Sequence, residues 1–412
     1  MAEPLRILVG GVPLGCDNVG DEAILECAVR IIRELCPDCL LTVSTNDEKA
    51  TAEKLNVQTC PLYAFVQHDL ARMTDMIRAH DVFFWCGATG LSDYPEVPLQ
   101  MVEIAQSLDK CTIVWGVGMN SELNPAKYEI HPGKKRALLT ALTALSFGLF
   151  NAIKYEENRL ENRARNKIAD CLEACELVVL RDPESRDEVS LCGVNRELIV
   201  GADSALVLEP APPGSFEIPE EAQKLLRRSV SKVGLCVSAQ REIKNQDELV
   251  RYLDRVVEDD TKHICFIPMN PITDARLMTE LQGRMAHPER TAVLSGRYEP
   301  DQILAVAKEM DVVVSSRLHL LILASIVHVP VLGISRGSKV DNFLRPFGLR
   351  SANSVENCDF GLLWTETLRL LGDRAGFETR SRAVQSELLA RLEDAKRHLG
   401  AALQEAARSR TA

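Results

Sequence analysis

Asp311-Val312-Val313-Val314-Ser315 runs without a break into Ser316-Arg317-Leu318-His319, and that segment into Leu320-Leu321-Ile322-Leu323-Ala324-Ser325-Ile326-Val327. The first five residues read as a buried strand and the last eight as an apolar helix, so the polar tetrad between them is a strand-to-helix corner. In an open parallel sheet such corners lie at the carboxyl ends of the strands, where ligands collect, and the free N–H groups that open the helix favour an anion. Ser316, Arg317 and His319 add hydroxyl, guanidinium and imidazole donors to the same corner. The next apolar run, Val329 to Ile334, ends in Ser335-Arg336-Gly337-Ser338-Lys339. Two consecutive corners therefore present Arg317, His319, Arg336 and Lys339, the makings of a polyanion pocket.

Outward from that point, the same alternation fills the chain. Strands are expected at Leu5 to Gly10, Cys39 to Thr45, Val82 to Cys86, Thr112 to Val117, Leu177 to Leu180 and Glu197 to Val200. A second set is expected at Val233 to Val237, His263 to Ile267, Thr291 to Leu294, Asp311 to Ser315 and Val329 to Ile334. Short apolar strands separated by helical patterns argue an α/β fold with parallel sheets covered on both faces. Between the two sets lies Glu209 to Glu221, crowded with Pro210, Pro212, Pro213, Gly214 and Pro219, which reads as a linker. The 412 residues exceed what one core usually supports. The expected division is an α/β domain over 1–208, a linker over 209–221, a second α/β domain over 222–375, and a terminal helix over 376–412 packing back across both.

Composition narrows the partners. A formal charge of −11 argues against a general nucleic-acid surface while leaving room for a local basic pocket. Thirteen cysteines sit mostly inside apolar runs, as Cys86, Cys111, Cys236 and Cys265 do, and read as reduced core thiols rather than a disulfide framework. The lone pair Cys36 and Cys39 has no second pair and no histidine nearby, so no metal site is expected. Nothing at Met1 to Gly10 has the basic flank and length of a signal sequence, which points to the cytoplasm. Ala137 to Ile153 is apolar, interrupted by Thr140, Thr143, Ser146, Gly148 and Asn151, and falls short of a membrane span. A buried helix is expected there, although Lys134, Lys135 and Arg136 before it leave open a peripheral contact with anionic lipid.

Further corners add candidates. Asp17-Asn18-Val19-Gly20-Asp21-Glu22 follows the first strand, with Asn18 placed to cap a helix and Gly20 to permit close backbone approach. Leu180-Arg181-Asp182-Pro183 is another corner, in which Asp182 and Pro183 are explained by capping and Arg181 is not. The loops Gly87-Ala88-Thr89-Gly90 and Gly116-Val117-Gly118 complete neither a dinucleotide fingerprint nor a phosphate-binding P-loop.

Asn18-Val19-Gly20-Asp21-Glu22-Ala23-Ile24-Leu25, Arg181-Asp182 with Ser185, Gly201-Ala202-Asp203, and Ser316-Arg317-Leu318-His319 followed by Val329-Pro330 and Lys339-Val340 together resemble the polysaccharide pyruvyl transferase family. The resemblance implies a fold similar to the GT-B glycosyltransferases, two Rossmann-like domains facing a cleft, with the acceptor on the first domain and the donor on the second. It implies transfer of the enolpyruvyl group of phosphoenolpyruvate to sugar hydroxyls, as a ketal on a cell-envelope polysaccharide or its lipid-linked precursor; no cofactor or metal is expected, because no His/Cys/Asp cluster has ligand spacing and the pocket's cations can neutralise the donor themselves. Arg317 and His319 match the family's donor-binding and catalytic pair, Lys339 a downstream lysine and Arg181 a corner arginine. Ser316, Arg336, Asn18, Gly20, Asp21 and Asp203 complete the expected substrate contacts, with Asp21 or Asp203 as the base on the acceptor hydroxyl. Two departures stand out: Arg336 where many members have tyrosine, and Cys86-Gly87-Ala88-Thr89-Gly90 where they have three consecutive glycines. Two alternatives have the same shape, a nucleotide-sugar glycosyltransferase and a sugar- or phosphoester-binding protein without turnover.

Overall fold

The computed structural model describes residues 3–63, 65–147 and 149–410. Met1 and Ala2 of the N-terminal reading, Gly148 of the apolar run, and Thr411 and Ala412 of the terminal-helix reading lie outside the described residues. Seven parallel strands form the first sheet: β1 Arg6–Gly10, β2 Leu40–Thr45, β3 Gln58–Pro61, β4 Val82–Cys86, β5 Cys111–Val117, β6 Leu177–Leu180 and β7 Ile199–Val200, in the order β3-β2-β1-β4-β5-β6-β7. Five form the second: β8 Ser231–Cys236, β9 Lys262–Phe266, β10 Thr291–Val293, β11 Val312–Ser315 and β12 Val331–Gly333, ordered β10-β9-β8-β11-β12. β3 was not expected, because Gln58-Thr59-Cys60-Pro61 is short and ends in proline. As an edge strand it needs neither a long apolar run nor a full set of donors.

In both sheets the chain steps outward from a first strand and then reverses, so each has a switch point, between β1 and β4 in one and between β8 and β11 in the other. Loops leaving adjacent strands in opposite directions open a crevice there. The crevices face each other, and backbone bonds cross between them: Val19 N–H donates to the Met269 carbonyl at 3.1 Å.

The helix Leu318–Ile326 is apolar all round and buried at Leu318 and from Leu320 to Ser325. It lies among the helices Val19–Leu35, Pro300–Lys308 and Arg374–Ser409 rather than at a surface, which is why no polar face is present. Arg374–Ser409 begins ahead of the helical pattern read from the sequence and touches β6 and β7 as well as Leu318–Ile326.

The expected buried helix at Ala137 to Ile153 is corrected. The run splits into the end of the helix Lys134–Leu145, which has no buried residue, a turn, and the start of the helix Ala152–Glu173. Its hydrophobicity is real, but among the described residues only its inner side is covered, by the helix Ala152–Glu173, while Leu138, Leu142, Leu145, Phe147 and Leu149 stay exposed.

Candidate active site

The two switch points enclose a cavity of about 150 Å³ lined by Asn18, Asp21, Thr89, Asp93, Tyr94, Arg181, Gln240, Arg317, His319, Arg336 and Lys339, among others. Every one of these residues follows a strand end. Asn18 and Asp21 follow β1, Thr89 and Asp93 follow β4, Arg181 follows β6, and Gln240 follows β8. Arg317 and His319 follow β11, and Arg336 and Lys339 follow β12.

Arg317 stands at the N-cap of Leu318–Ile326, where no side chain caps the first-turn amides. The Ser315 hydroxyl accepts the Arg317 N–H at 2.9 Å and fixes the turn. Its guanidinium is a fork closed on Asp274, with Nε to Oδ2 at 2.9 Å and Nη2 to Oδ1 at 2.8 Å, while Nη1 donates to Gln240 Oε1 at 3.1 Å. Asp274 is fully buried and also accepts the Ala239 N–H at 2.9 Å. Arg317 is thus held by a buried pair and presents only its remaining N–H groups to the cavity.

His319 lies one step into that helix, with its ring against Gly20. A Cβ on Gly20 would stand 2.2 Å from Nδ1, so glycine is what lets the helix Val19–Leu35 approach the imidazole. Its Nε2 is 3.5 Å from Asp203 Oδ2, and neither atom has a closer hydrogen-bonding partner. Asp203 also accepts the Ala205 N–H at 3.0 Å and sits 3.8 Å from Arg181 Nη1. Burial alone would raise the Asp203 carboxyl, but His319, Arg181 and the Ala205 amide together hold it below its ordinary value. Asp203 is thus the more acidic of the two candidate carboxyls and stands where it can orient the ring.

The other candidate carboxyl behaves in the opposite way. Asp21 accepts from Asn18 Nδ2 at 2.6 Å and lines the cavity, and there burial wins over His319, Asn18, Arg317 and Lys339, leaving its carboxyl raised. A carboxylate destabilised by burial is a better proton acceptor than a solvated one.

Among the cations, Lys339 crosses the cleft. Its Nζ donates to Asp93 Oδ2 and Thr89 Oγ1, each at 3.0 Å, and its backbone N–H to Asn120 Oδ1 at 3.2 Å. Burial lowers its pKa, Asp93 opposing and Arg336 reinforcing. Arg336 has a buried Nε without a partner, and burial, together with repulsion from Arg317, lowers its guanidinium to about 10. A guanidinium under that strain calls for an anion. Arg181 packs on Gly118, whose missing Cβ would meet Nη2 at 2.6 Å, and donates Nε to Asp182 at 3.2 Å.

Three expected contacts do not line the cavity: Gly20 and Asp203 lie behind the His319 ring, and Ser316 turns elsewhere. The Ser316 hydroxyl accepts the Ser238 N–H at 2.9 Å and ties the end of β11 to the end of β8, so it shapes the corner without lining it. Asp93, Asp274, Gln240 and Tyr94 were not singled out from the sequence. Asp274 there reads as an ordinary first-turn acid, and nothing local marks any of the four as lying opposite a cation.

Among the described residues no group of three or more His, Cys, Asp or Glu side chains is arranged to hold a metal ion. Of the four cations on the wall, Arg317 is paired with Asp274, Lys339 with Asp93 and Arg181 with Asp182, while Arg336 keeps an Nε without a partner, so the cavity can take a small anion at Arg336 beside an imidazole and a raised carboxyl.

The sequence matches the family model described as polysaccharide pyruvyl transferase over residues 18–338. No curated protein sequence matches. Among solved structures, Anabaena HepE in complex with UDP-glucose is similar at a TM-score of 0.57 and 13% identity, covering 96% of this chain and 100% of that one. S. aureus MnaA with UDP superposes at 0.57 and 8% identity over 92% and 91%. A glycosyltransferase from Rickettsia africae does so at 0.57 and 11% identity over 98% of each chain. At these identities the likeness is one of fold: two Rossmann-like domains facing a cleft, as in GT-B enzymes.

Proposed function

We propose, because the chain belongs to the polysaccharide pyruvyl transferase family, that it transfers the enolpyruvyl group of phosphoenolpyruvate to two hydroxyls of a sugar, as a cyclic ketal on an envelope polysaccharide or its lipid-linked precursor. The observation that carries this reading is the cavity: about 150 Å³, four cations, one orphaned guanidinium, and His319 and Asp21 on its wall. Cations gathered from both domains around one cavity suit a donor that carries a carboxylate and a phosphate together.

In this reading Arg336, Lys339, Arg181 and the outward N–H groups of Arg317 neutralise the carboxylate and phosphate of the donor, with the uncapped amides of Leu318–Ile326 beside them. His319 gives a proton to the methylene carbon, which becomes a methyl group, while an acceptor hydroxyl attacks the adjacent carbon and yields its proton to Asp21. The second hydroxyl then attacks that same carbon. The bond from carbon to the phosphate oxygen breaks, and inorganic phosphate leaves with the second proton. Asp203 holds the His319 ring through both steps.

Phosphate release from phosphoenolpyruvate, measured against a panel of lipid-linked and nucleotide-linked sugars, tests the reading. Release that requires both donor and acceptor, with pyruvate recovered from the product by acid, supports it. Consumption of a nucleotide sugar without any use of phosphoenolpyruvate would make the protein a glycosyltransferase, and tight donor binding without release would make it a binding protein.

A further inference from the structure

The two-helix hairpin made by Lys134–Leu145 and Ala152–Glu173 is a surface that the transfer chemistry does not use. Its first helix has two unlike faces. Leu139 and Thr143 turn inward, and the Thr143 hydroxyl accepts the Ala152 N–H at 3.0 Å, closing the hairpin. Leu138, Leu142 and Leu145, spaced to share one face, turn outward with Leu145 75% exposed. The turn continues that stripe: Phe147 and Leu149 are each 93% exposed, with Phe150 and Tyr155 in ring contact at 5.3 Å beside them. Phe147 takes φ +53°, a region bulky side chains rarely adopt. It gains no packing within the chain in return.

Charge singles out what covers this stripe. From Pro132 to Tyr155 there are four basic residues, Lys134, Lys135, Arg136 and Lys154, and no acidic one, in a chain whose formal charge is −11; Glu156, just beyond, pairs with Lys135 at 3.0 Å. Apolar side chains flanked by Lys134, Arg136 and Lys154 match a bilayer interface carrying anionic headgroups. A second copy of the chain is a poorer occupant, because a two-fold contact would set the basic rim against itself.

Position agrees. Ala152–Glu173 feeds β6 at its amino end, so the hairpin tip stands at the carboxyl end of the sheet, the end that carries the site. Arg165 on that helix donates to the Ser121 carbonyl at 3.1 Å, and Ser121 follows Asn120, which holds Lys339. From Arg165 to the start of the helix at Ala152 is a further rise of about 20 Å, so the tip reaches well beyond the level of the cavity.

We infer that the hairpin tip, with Leu145, Phe147, Leu149 and Phe150, together with Lys154 beside it and Lys134 at the start of the first helix, docks the enzyme on an anionic phospholipid surface, bringing the cleft to an acceptor held there. The inference concerns binding, not turnover, so the transfer reading and this one stand or fall separately.

Flotation of the full chain with vesicles tests it. Vesicles of equal parts phosphatidylcholine and phosphatidylglycerol should carry the protein at low salt and less of it at high salt. Phe147→Asp with Leu149→Asp should weaken partitioning by about tenfold to a hundredfold while phosphate release with a soluble acceptor is unchanged. Lys134→Glu with Lys154→Glu should remove the preference for phosphatidylglycerol over pure phosphatidylcholine. No flotation on the mixed vesicles, flotation indifferent to the Asp substitutions, or equal flotation on pure phosphatidylcholine would each overturn the proposal. So would self-association that the same Asp substitutions abolish in place of vesicle binding.

Discussion

His319 and Glu22 separate two uses of a buried titratable group. If His319 delivers the proton, His319→Gln, which keeps a polar side chain of similar reach, should lower kcat by about 10² to 10⁴-fold while phosphoenolpyruvate binds as before. Single-turnover kinetics with calorimetry checks both halves, and turnover within about threefold of the parent would leave the ring only a structural part. Glu22, beside Asp21 but facing away toward the Gly15 N–H at 2.8 Å, is pushed up to about 7, chiefly by burial. Its sign is unusual for a carboxyl. Below the unfolded value of 4.5 both states hold the proton; between 4.5 and about 7 only the folded state does, so stability falls as pH rises through that window and is flat above it. Glu22→Gln keeps the acceptor for Gly15 and removes the penalty. It should match the parent near the bottom of the window and exceed it above the top by at most about 3 kcal/mol, as urea unfolding at the two pH values will show.

At the scale of elements, the site is an agreement between helix starts. Val19–Leu35 and Leu318–Ile326 meet where Gly20 faces His319, and alanine at 20 would drive Cβ into the ring. Since alanine is favoured over glycine within a helix by about 1 kcal/mol, Gly20→Ala should leave the melting temperature near that of the parent and still cost most of kcat. A variant that melts much lower would mean the glycine serves the fold instead. The β11 corner makes the reverse case. Arg317→Lys keeps the charge but cannot satisfy both oxygens of buried Asp274, so it should lose about 1–3 kcal/mol of stability as well as raise KM for the donor. Denaturation and initial-rate measurements on one preparation would detect a KM change without the stability loss, which would mean that the Asp274 pair contributes nothing.

For the whole molecule, we place the division between domains at 209–221, where Pro212 to Ser215 are exposed and no helix or strand forms before Glu220. A glutamate-specific protease should cut there first. The two pieces should stay together on gel filtration, because Arg374–Ser409 reaches both halves: Lys396 pairs with Glu34 at 2.8 Å and Ser381 donates to the Ser325 carbonyl at 3.0 Å. A first cut elsewhere, or pieces that separate, would move the boundary. Much of this architecture is written locally. The apolar runs that became β4 and β6, the capping Asp182-Pro183, and the polar corner Ser316 to His319 each carry their own signal, because strand, cap and turn preferences are properties of a few adjacent residues. The sequence by itself therefore determined the alternation of strand and helix and which corners bear cations. Only the tertiary structure decided that Lys339 meets Asp93, that Arg317 spends its fork on Asp274, that Ser316 turns to Ser238, and that Asp21 and Asp203 divide into a raised and a lowered carboxyl. Those outcomes depend on strand order and on which loops face across the cleft, neither of which leaves a local trace. The run from Ala137 to Ile153 shows the same limit from the other side: its composition records a preference to leave water, and the fold leaves Leu145, Phe147 and Leu149 exposed, uncovered by any other of the described residues.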